Sequence, residues 1–406
     1  MNVVASLTEA LRSDIAVGDV HAWSGAPGQP EAVVHPATAD EVAATVRWAS
    51  ANGTGIAVVA SGARLRAARR SERPFVLLCT DRLSGIEAYE PADLTLTAKA
   101  GTPMSALDSE LRAKGQWLPY DPPHVDARSL GGLVATGESG PLWMGYGELR
   151  NHVLGLTLVT GDGRTLELGG RVVKNVAGFD LLKPVVGSRG RLGVITSVCV
   201  RAFPVPACDR VLVLSAGSAE ALLPVARAVG TAPFMPVSSV LVAGPGRKEP
   251  ARLLVRLQGA EPTVEADQKT LERHCRVSFE RASDPSAVLL SARDHASAGD
   301  LMLEISVLPS RLGDALATLT ELRGEMSLVA DTYRGSVRVI AGRDDARAVG
   351  RVRARVEALG GSLGARVARG IDADVSASSV PPPVAALARG IEQVFDPPGV
   401  FWPCRS

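Results

Sequence analysis

SLGGLVATGESGP (129–141), GYGELRNHVLGLTLVTGDGRTLEL (145–168) and VVKNVAGFDLLKPVVGSRGRLGVIT (172–196) decide how this chain is read. Gly131, Gly132, Gly137, Gly140, Gly187, Gly190 and Gly193 are interleaved with β-branched runs. The pattern predicts strands whose turns let backbone approach a flat or anionic ligand. N–H groups in such turns converge with no side chains in the way, which suits a diphosphate. GSRGRLG spaces its glycines G-x-x-G-x-x-G, so it is not the dinucleotide fingerprint and a Rossmann reading fails.

Upstream, HPATADEVAATVRWASANG (35–53) predicts a helix opened by a Thr38/Glu41 capping box and closed by Gly53, followed by a strand, GIAVVA (55–60). FVLLC (75–79) reads as a buried strand and LTLTAK (94–99) as a half-polar one. Thr102 is expected to cap a helix with Pro103 in its first position and Gly115 at its end. QWLPYDPPH (116–124) is irregular because its prolines remove donors. Downstream, VLGLTLVT, GDG and RTLEL form a hairpin signal, and LGVITSVCVRA (192–202) a further strand. After Pro204 and Pro206 the pattern reads β-α-β-β-α-β twice, over 210–281 and 301–368, which predicts an antiparallel sheet built from two ferredoxin-like halves.

With 406 residues, 46% apolar and 21% charged, the chain is long enough for two domains. Its net charge of +1 gives no electrostatic case for nucleic acid or an anionic membrane, despite the basic run 63–73. The five cysteines are scattered without C-x-x-C, so no iron–sulfur or structural zinc ligand set is apparent. The six histidines are nowhere paired at ligand spacing, and no metal is expected. Without a signal sequence or a long apolar run, the expectation is a cytoplasmic protein, at most peripheral on the inner face of the cell membrane.

GGLVATGESGP, KNVAGFD, GSRGRLGVIT and AGTPMSALDSELRAKGQWLPYDPPH (100–124) stand in an order that resembles the FAD-binding subunit of bacterial glycolate oxidase, within the p-cresol methylhydroxylase/vanillyl-alcohol oxidase class of flavoproteins. The resemblance covers about 30–205 and returns at 391–403. It implies an α+β fold: a two-part FAD-binding domain (1–205), an antiparallel-sheet cap with helices on one face (206–375) and a tail returning to the FAD domain (376–406). It assigns Ser61, Gly62, Ala63, Arg64 and Leu65 to the first pyrophosphate loop, where the family carries more glycine. Gly131, Gly132, Ala135, Thr136, Gly137 and Ser139 would give backbone and hydroxyl donors to the pyrophosphate and ring, while Gly190, Gly193 and Ile195 would enclose the adenine side. No His, Cys or Tyr stands at the family's attachment positions in 61–70 or 129–141, so the FAD is expected to be noncovalent.

The activity implied is oxidation of a small 2-hydroxy acid, in a complex with a second flavoprotein and an iron–sulfur subunit. A stand-alone hydroxy acid or alcohol oxidoreductase and a catalytically silent flavin-binding subunit remain alternatives. The chemistry needs a base, a cation for the carboxylate and the flavin as hydride acceptor. His124 is the candidate base, with a plain hydrogen-bonded histidine as the alternative; Arg252, Arg256, Arg334 and Arg338 are candidate cations or a solvated sheet face. Lys174, Asn175 and Asp180 order the sheet or meet substrate. In the tail, Trp402 and Cys404 stand where the family has Asn and Gly; either Trp402 packs at the ring, which predicts a smaller, more apolar site, or the tail has moved out to the surface.

Overall fold

Thr38 accepts the Glu41 N–H through its hydroxyl (3.2 Å), and the Glu41 carboxylate accepts the Ala37 N–H (2.7 Å), so the predicted capping box starts a helix over Ala39–Ala51. A computed structural model describes residues 3–11, 16–18, 30–60, 73–170, 180–244, 250–294, 301–322, 324–367 and 382–401. The helix is α2, after α1 (Val3–Leu11). It packs on a four-stranded sheet of β1 (Ala16–Gly18), β2 (Ala32–His35), β3 (Gly55–Val59) and β4 (Phe75–Cys79), in order β1-β2-β4-β3. Both β2 and β3 run parallel to β4. Continuous apolar runs suit strands buried on both faces, and all five residues of β4 are buried.

A second, antiparallel sheet holds β5 (Ile86–Glu90), β6 (Thr95–Lys99), β8 (Val153–Val159), β9 (Thr165–Gly169) and β10 (Val194–Arg201), in order β5-β6-β10-β8-β9. The small pair β7 (Gln116–Trp117) and β11 (Phe203–Pro204) lies apart from it. Helix α3 (Met104–Arg112) buries Met104, Leu107 and Leu111 in the same core. Thr102 does not cap it: its hydroxyl donates to Lys99 O (2.7 Å) and accepts from Gly85 N (3.0 Å), and Pro103 takes the cap position. The expectation of strands at 129–141 is also corrected, because Leu130–Thr136 form a short helix, α4. Ser129 accepts the Gly132 N–H (3.1 Å) at its start, and Gly137, at φ +62°, ends it in the left-handed conformation. Capping at both ends outweighs glycine's poor helix propensity. One-turn helices α5 (Trp143–Tyr146) and α6 (Leu182–Val185) follow.

The eight-stranded sheet contains β12 (Cys208–Ala216), β13 (Ser238–Ala243), β14 (Ala251–Gly259), β15 (Glu280–Arg281), β16 (Leu301–Ser306), β17 (Ser327–Asp331), β18 (Ser336–Ala341) and β19 (Ser362–Val367). Its order, β15-β12-β14-β13-β17-β18-β16-β19, is two split βαβ halves joined edge to edge through their second strands. Helices α7 (Ala219–Val229), α8 (Glu261–Cys275), α10 (Leu312–Thr318) and α11 (Val349–Ala358) bury Leu222, Leu271, Leu316 and Val352 against Leu253, Val255, Leu303 and Val339 on one face. Each such side chain contributes roughly 1.5–3 kcal/mol through burial. The helix α9 (Pro285–Asp294), absent from the sequence reading, packs Ala292 on the opposite face against Val240, Val242 and Leu254.

The tail helix α12 (Pro382–Phe395) leads the chain back to the first sheet. Asp396 accepts the N–H groups of Val400 and Phe401 (both 2.8 Å), and Ile56 N–H donates to Val400 O (2.9 Å). Trp402 and Cys404 lie outside the described residues. No helix among the described residues is long and apolar enough to cross a membrane.

Candidate functional site

The segments assigned to the cofactor converge. A Cβ placed on Gly132 would lie 3.6 Å from Ala60 Cβ, at the end of β3, and one on Gly190 would lie 3.8 Å from Val58. Gly187 N–H donates to Val134 O (3.0 Å) and Arg189 N–H to Ala135 O (2.7 Å), so the 187–190 turn is fastened to α4. The seven glycines divide by what they meet. An added Cβ at Gly131 would come within 2.5 Å of Ala100, at Gly137 within 2.9 Å of Gly187, at Gly140 within 2.0 Å of Asp121 O, and at Gly193 within 2.5 Å of Val159 O. Chain packing therefore explains those four. Gly187, at φ +87°, meets backbone only at 3.9 Å, and at Gly132 and Gly190 no backbone lies within 4 Å, the nearest atoms being Ser129 Oγ (3.0 Å) and Val58 Cβ (3.8 Å). Such a cradle fits a flat cofactor.

It offers room more than donors. Gly131 N–H is occupied by Ala100 O (2.7 Å) and Gly132 N–H by Ser129 Oγ. The Thr136 hydroxyl donates to Leu133 O (3.0 Å) and accepts from Arg128 Nη2, while Arg128 Nη1 pairs with Glu138 (2.6 Å). Ile195 is buried in the core, and Ala135 and Ser139 are half-buried. Ser61, Gly62, Ala63, Arg64 and Leu65, like Lys174 and Asn175, lie outside the described residues.

A cavity of about 320 Å³ opens where α3, the segment 117–126 and Pro141–Leu142 face β13, β14 and α9. Leu253, Val255 and Leu257 point into the helix-covered core, so Arg252, Leu254 and Arg256 face the other side, and Arg256 lies 5.9 Å over the Trp117 ring. That settles part of the sequence ambiguity: Arg256 lines a cavity between the two halves of the molecule and is no solvated surface group. Arg256 binds Asp209 through Nε and Nη2, and Arg293 binds Asp294 and Asp126 through the same two nitrogens, leaving Nη1 of each for another acceptor. Asp121, in the same cavity, accepts the Leu142 N–H (3.0 Å). Burial pushes its carboxyl up to about 6, against the pull of that bond and of the two arginines. Trp117 (7% exposed) and Tyr120 (9% exposed) also line the cavity through their rings. Trp117 Nε1 and Tyr120 Oη are sealed from solvent and have no hydrogen-bond partner among the described residues.

His124 does not line the cavity, although Val125 and Asp126 beside it do. Its N–H donates to Asp294 Oδ1 (2.9 Å), its half-exposed ring stands 3.9 Å from the same carboxylate, and φ is +52°. The geometry gives His124 a contact across the seam and puts the half-buried carboxyl of Asp121, which no sequence motif marks, in the cavity. Arg334 lies over Trp143 (5.2 Å), also at the seam. Arg338 alternates with core residues Val337 and Val339 and so shares the face of Arg256. Lastly, the parallel pairing of β2 and β4 brings His35 and Cys79 beside Asp81, with His35 Nδ1 2.9 Å from Asp81 Oδ1. Burial pushes the Cys79 thiol up to about 12. Residues 35, 79 and 81 are too far apart in sequence for histidine spacing to reveal this group.

Residues 30–169 match the FAD binding domain family. Glycolate oxidase subunit GlcE of Escherichia coli is 36% identical over 188 residues, 46% of this chain and 51% of that protein. A D-2-hydroxyglutarate dehydrogenase of Xanthomonas citri is 35% identical over 198 residues, 48% of this chain and 42% of that protein. The chain thus spans about half the length of these curated relatives. Among solved structures, 6-hydroxy-D-nicotine oxidase from Arthrobacter nicotinovorans superposes with a TM-score of 0.69 at 17% identity over 96% of this chain and 97% of that one, a likeness of fold.

Proposed function

We infer, from the FAD binding domain at residues 30–169, that this flavoprotein chain oxidises a 2-hydroxy acid and works as one subunit of a larger electron-transferring assembly. The names of its relatives support that class: a glycolate oxidase subunit and a D-2-hydroxyglutarate dehydrogenase. The division at about residues 205 and 375 into FAD-binding, cap and tail parts belongs to the same proposal, as do a second flavoprotein and an iron–sulfur subunit as partners.

FAD, when bound, supplies the two-electron acceptor. Gly132 and Gly190 would leave room for it beside Val58 and Ala60. The assignment of Ser61–Leu65, Ala135 and Ser139 to it belongs to the same proposal. The observation that carries the substrate reading is the seam cavity, which joins Asp121 to the Nη1 groups of Arg256 and Arg293, uncommitted among the described residues. Guanidinium donors hold a carboxylate, and Asp121 takes the hydroxyl proton through a carboxylate oxygen. A base with a value near 6 is ionised at neutral pH yet basic enough to share that proton. Leu118, Leu142 and Leu254 keep water out.

The test uses the flavin-loaded protein with a panel of 2-hydroxy acids and an artificial electron acceptor. Asp121→Asn is expected to keep its flavin and lose at least about 100-fold in turnover, the usual weight of a general base. Full turnover in that variant would remove Asp121 from the mechanism, and flavin with no reduction by any 2-hydroxy acid would favour a silent subunit.

A further inference from the structure

We propose that His35, Cys79 and Asp81 bind one zinc-class divalent cation beneath the end of β3, behind the Ala60 wall of the glycine cradle and outside the seam cavity. Parallel pairing places Val34 opposite Leu78, so the next residues, His35 and Cys79, end adjacent strands side by side. Asp81 follows Cys79 by two, the strand period that returns a side chain to the same side. One imidazole nitrogen, one sulfur and one carboxylate oxygen come within 4.8 Å of one another, the only such group of three among the described residues.

The spacing is close to what a metal needs. Bonds of about 2.0–2.3 Å at tetrahedral angles separate ligand atoms by roughly 3.3–3.7 Å, so the set closes with side-chain movements of about 1 Å. His35 Nδ1 already lies 2.9 and 3.0 Å from the two Asp81 oxygens. The Cys79 sulfur interacts with the same Asp81 carboxylate, so all three candidate ligand atoms already meet in one small space. With the thiol proton lost to solvent, thiolate and carboxylate balance the charge of a divalent ion, and the mixed N, S, O set favours zinc over magnesium or calcium. A fourth position stays open to water, since His35 and Asp81 are part-exposed (side chains 20% and 51%). The Cys79 thiol donates to Ala60 O (3.8 Å), so the ion would brace the residue from which the Ser61–Leu65 loop departs.

Cobalt(II), a spectroscopic stand-in for zinc, is titrated into the full flavin-loaded chain and then displaced with zinc. The expected result is one equivalent of tight binding with a sulfur-to-cobalt charge-transfer band in the near ultraviolet. The band should vanish in Cys79→Ala, and Asp81→Asn should weaken binding by more than the about 10–100-fold that loss of an outer-shell partner brings. Flavin absorbance reports folding in each variant, and if Cys79→Ala does not fold, Asp81→Asn and His35→Gln carry the test. No charge-transfer band, a band that survives Cys79→Ala, or affinity unchanged in Asp81→Asn and His35→Gln would overturn the proposal.

Discussion

Trp143 donates its indole N–H to the carboxylate of Asp331, tying the chain just past the second glycine segment to the β17–β18 turn of the large sheet. Asp331 also accepts the backbone N–H groups of Tyr333 (3.1 Å) and Arg334 (2.9 Å), and the Tyr333 ring stands 6.0 Å from Trp143. Burial pushes the Asp331 carboxyl up, while these donors pull it down by favouring the ionised form. A hydrogen bond to a charged group contributes about 1.5–3 kcal/mol, so Trp143→Phe should lose roughly that much stability in urea unfolding above the carboxylate range. As pH falls through the raised value, Asp331 protonates and the difference between parent and variant should shrink. A difference that stays constant with pH would show that the charge on Asp331 has no part in the contact.

Asp121 gives a second pH signature. Its value is raised from 3.8 to about 6 in the folded protein, so folding favours the protonated form. The associated stability is fully present below 3.8 and is lost as pH rises through about 6. Asp121→Asn, which never ionises, should therefore be at least as stable as the parent above that range, by up to about 3 kcal/mol for a shift of this size. Its loss of turnover would then not be a loss of folding. In the parent, kcat/KM should rise with pH through about 6 as the base ionises. A profile flat across that range would disconnect the carboxyl from catalysis.

Periodicity made the large sheet legible, since Leu253, Val255, Leu303 and Val339 recur at every second position beside Arg252, Arg256, Glu304 and Arg338 on the other face. The 129–141 glycine segment was not legible as a helix, because Ser129 and Gly137 act as caps only once the intervening residues are helical. The 3.6-residue pattern is hard to see across one short turn of small residues. Asp121, Arg293 and the unpaired Trp117 and Tyr120 atoms depend on how α9 and the 117–126 segment meet. That is a tertiary relationship between residues about 170 positions apart, and no local pattern records it.

Glycine substitutions should separate packing from binding. Gly137, at φ +62° against Gly187, and Gly193, at φ +153° against Val159 O, lack room for any side chain. Gly137→Ala and Gly193→Ala are expected to lower stability by at least about 1 kcal/mol with or without FAD. Gly132→Ala meets only the Ser129 hydroxyl (3.0 Å) and Ala60 (3.6 Å), so it should fold with near-parental stability in the apo form and hold FAD less tightly. Fluorescence titration with FAD and apo-protein melting report the two effects separately. A Gly132→Ala protein with unchanged FAD affinity would move the cofactor away from this cradle.

The bond between protein and flavin follows from what surrounds the cradle. Its described walls, Val58, Ala60, Gly132 and Gly190, carry no nucleophile. The nearest thiol consistent with these contacts, Cys79, hydrogen-bonds to Ala60 O, is buried and is pushed up to about 12, so at neutral pH it is a thiol and not the thiolate that attacks a flavin ring. Acid precipitation of the purified protein should leave the yellow colour in the supernatant, with FAD recovered in close to stoichiometric amount. Flavin that stays with the pellet would mean covalent attachment through a group outside these walls, and a flavin-linked peptide isolated after proteolysis would identify it.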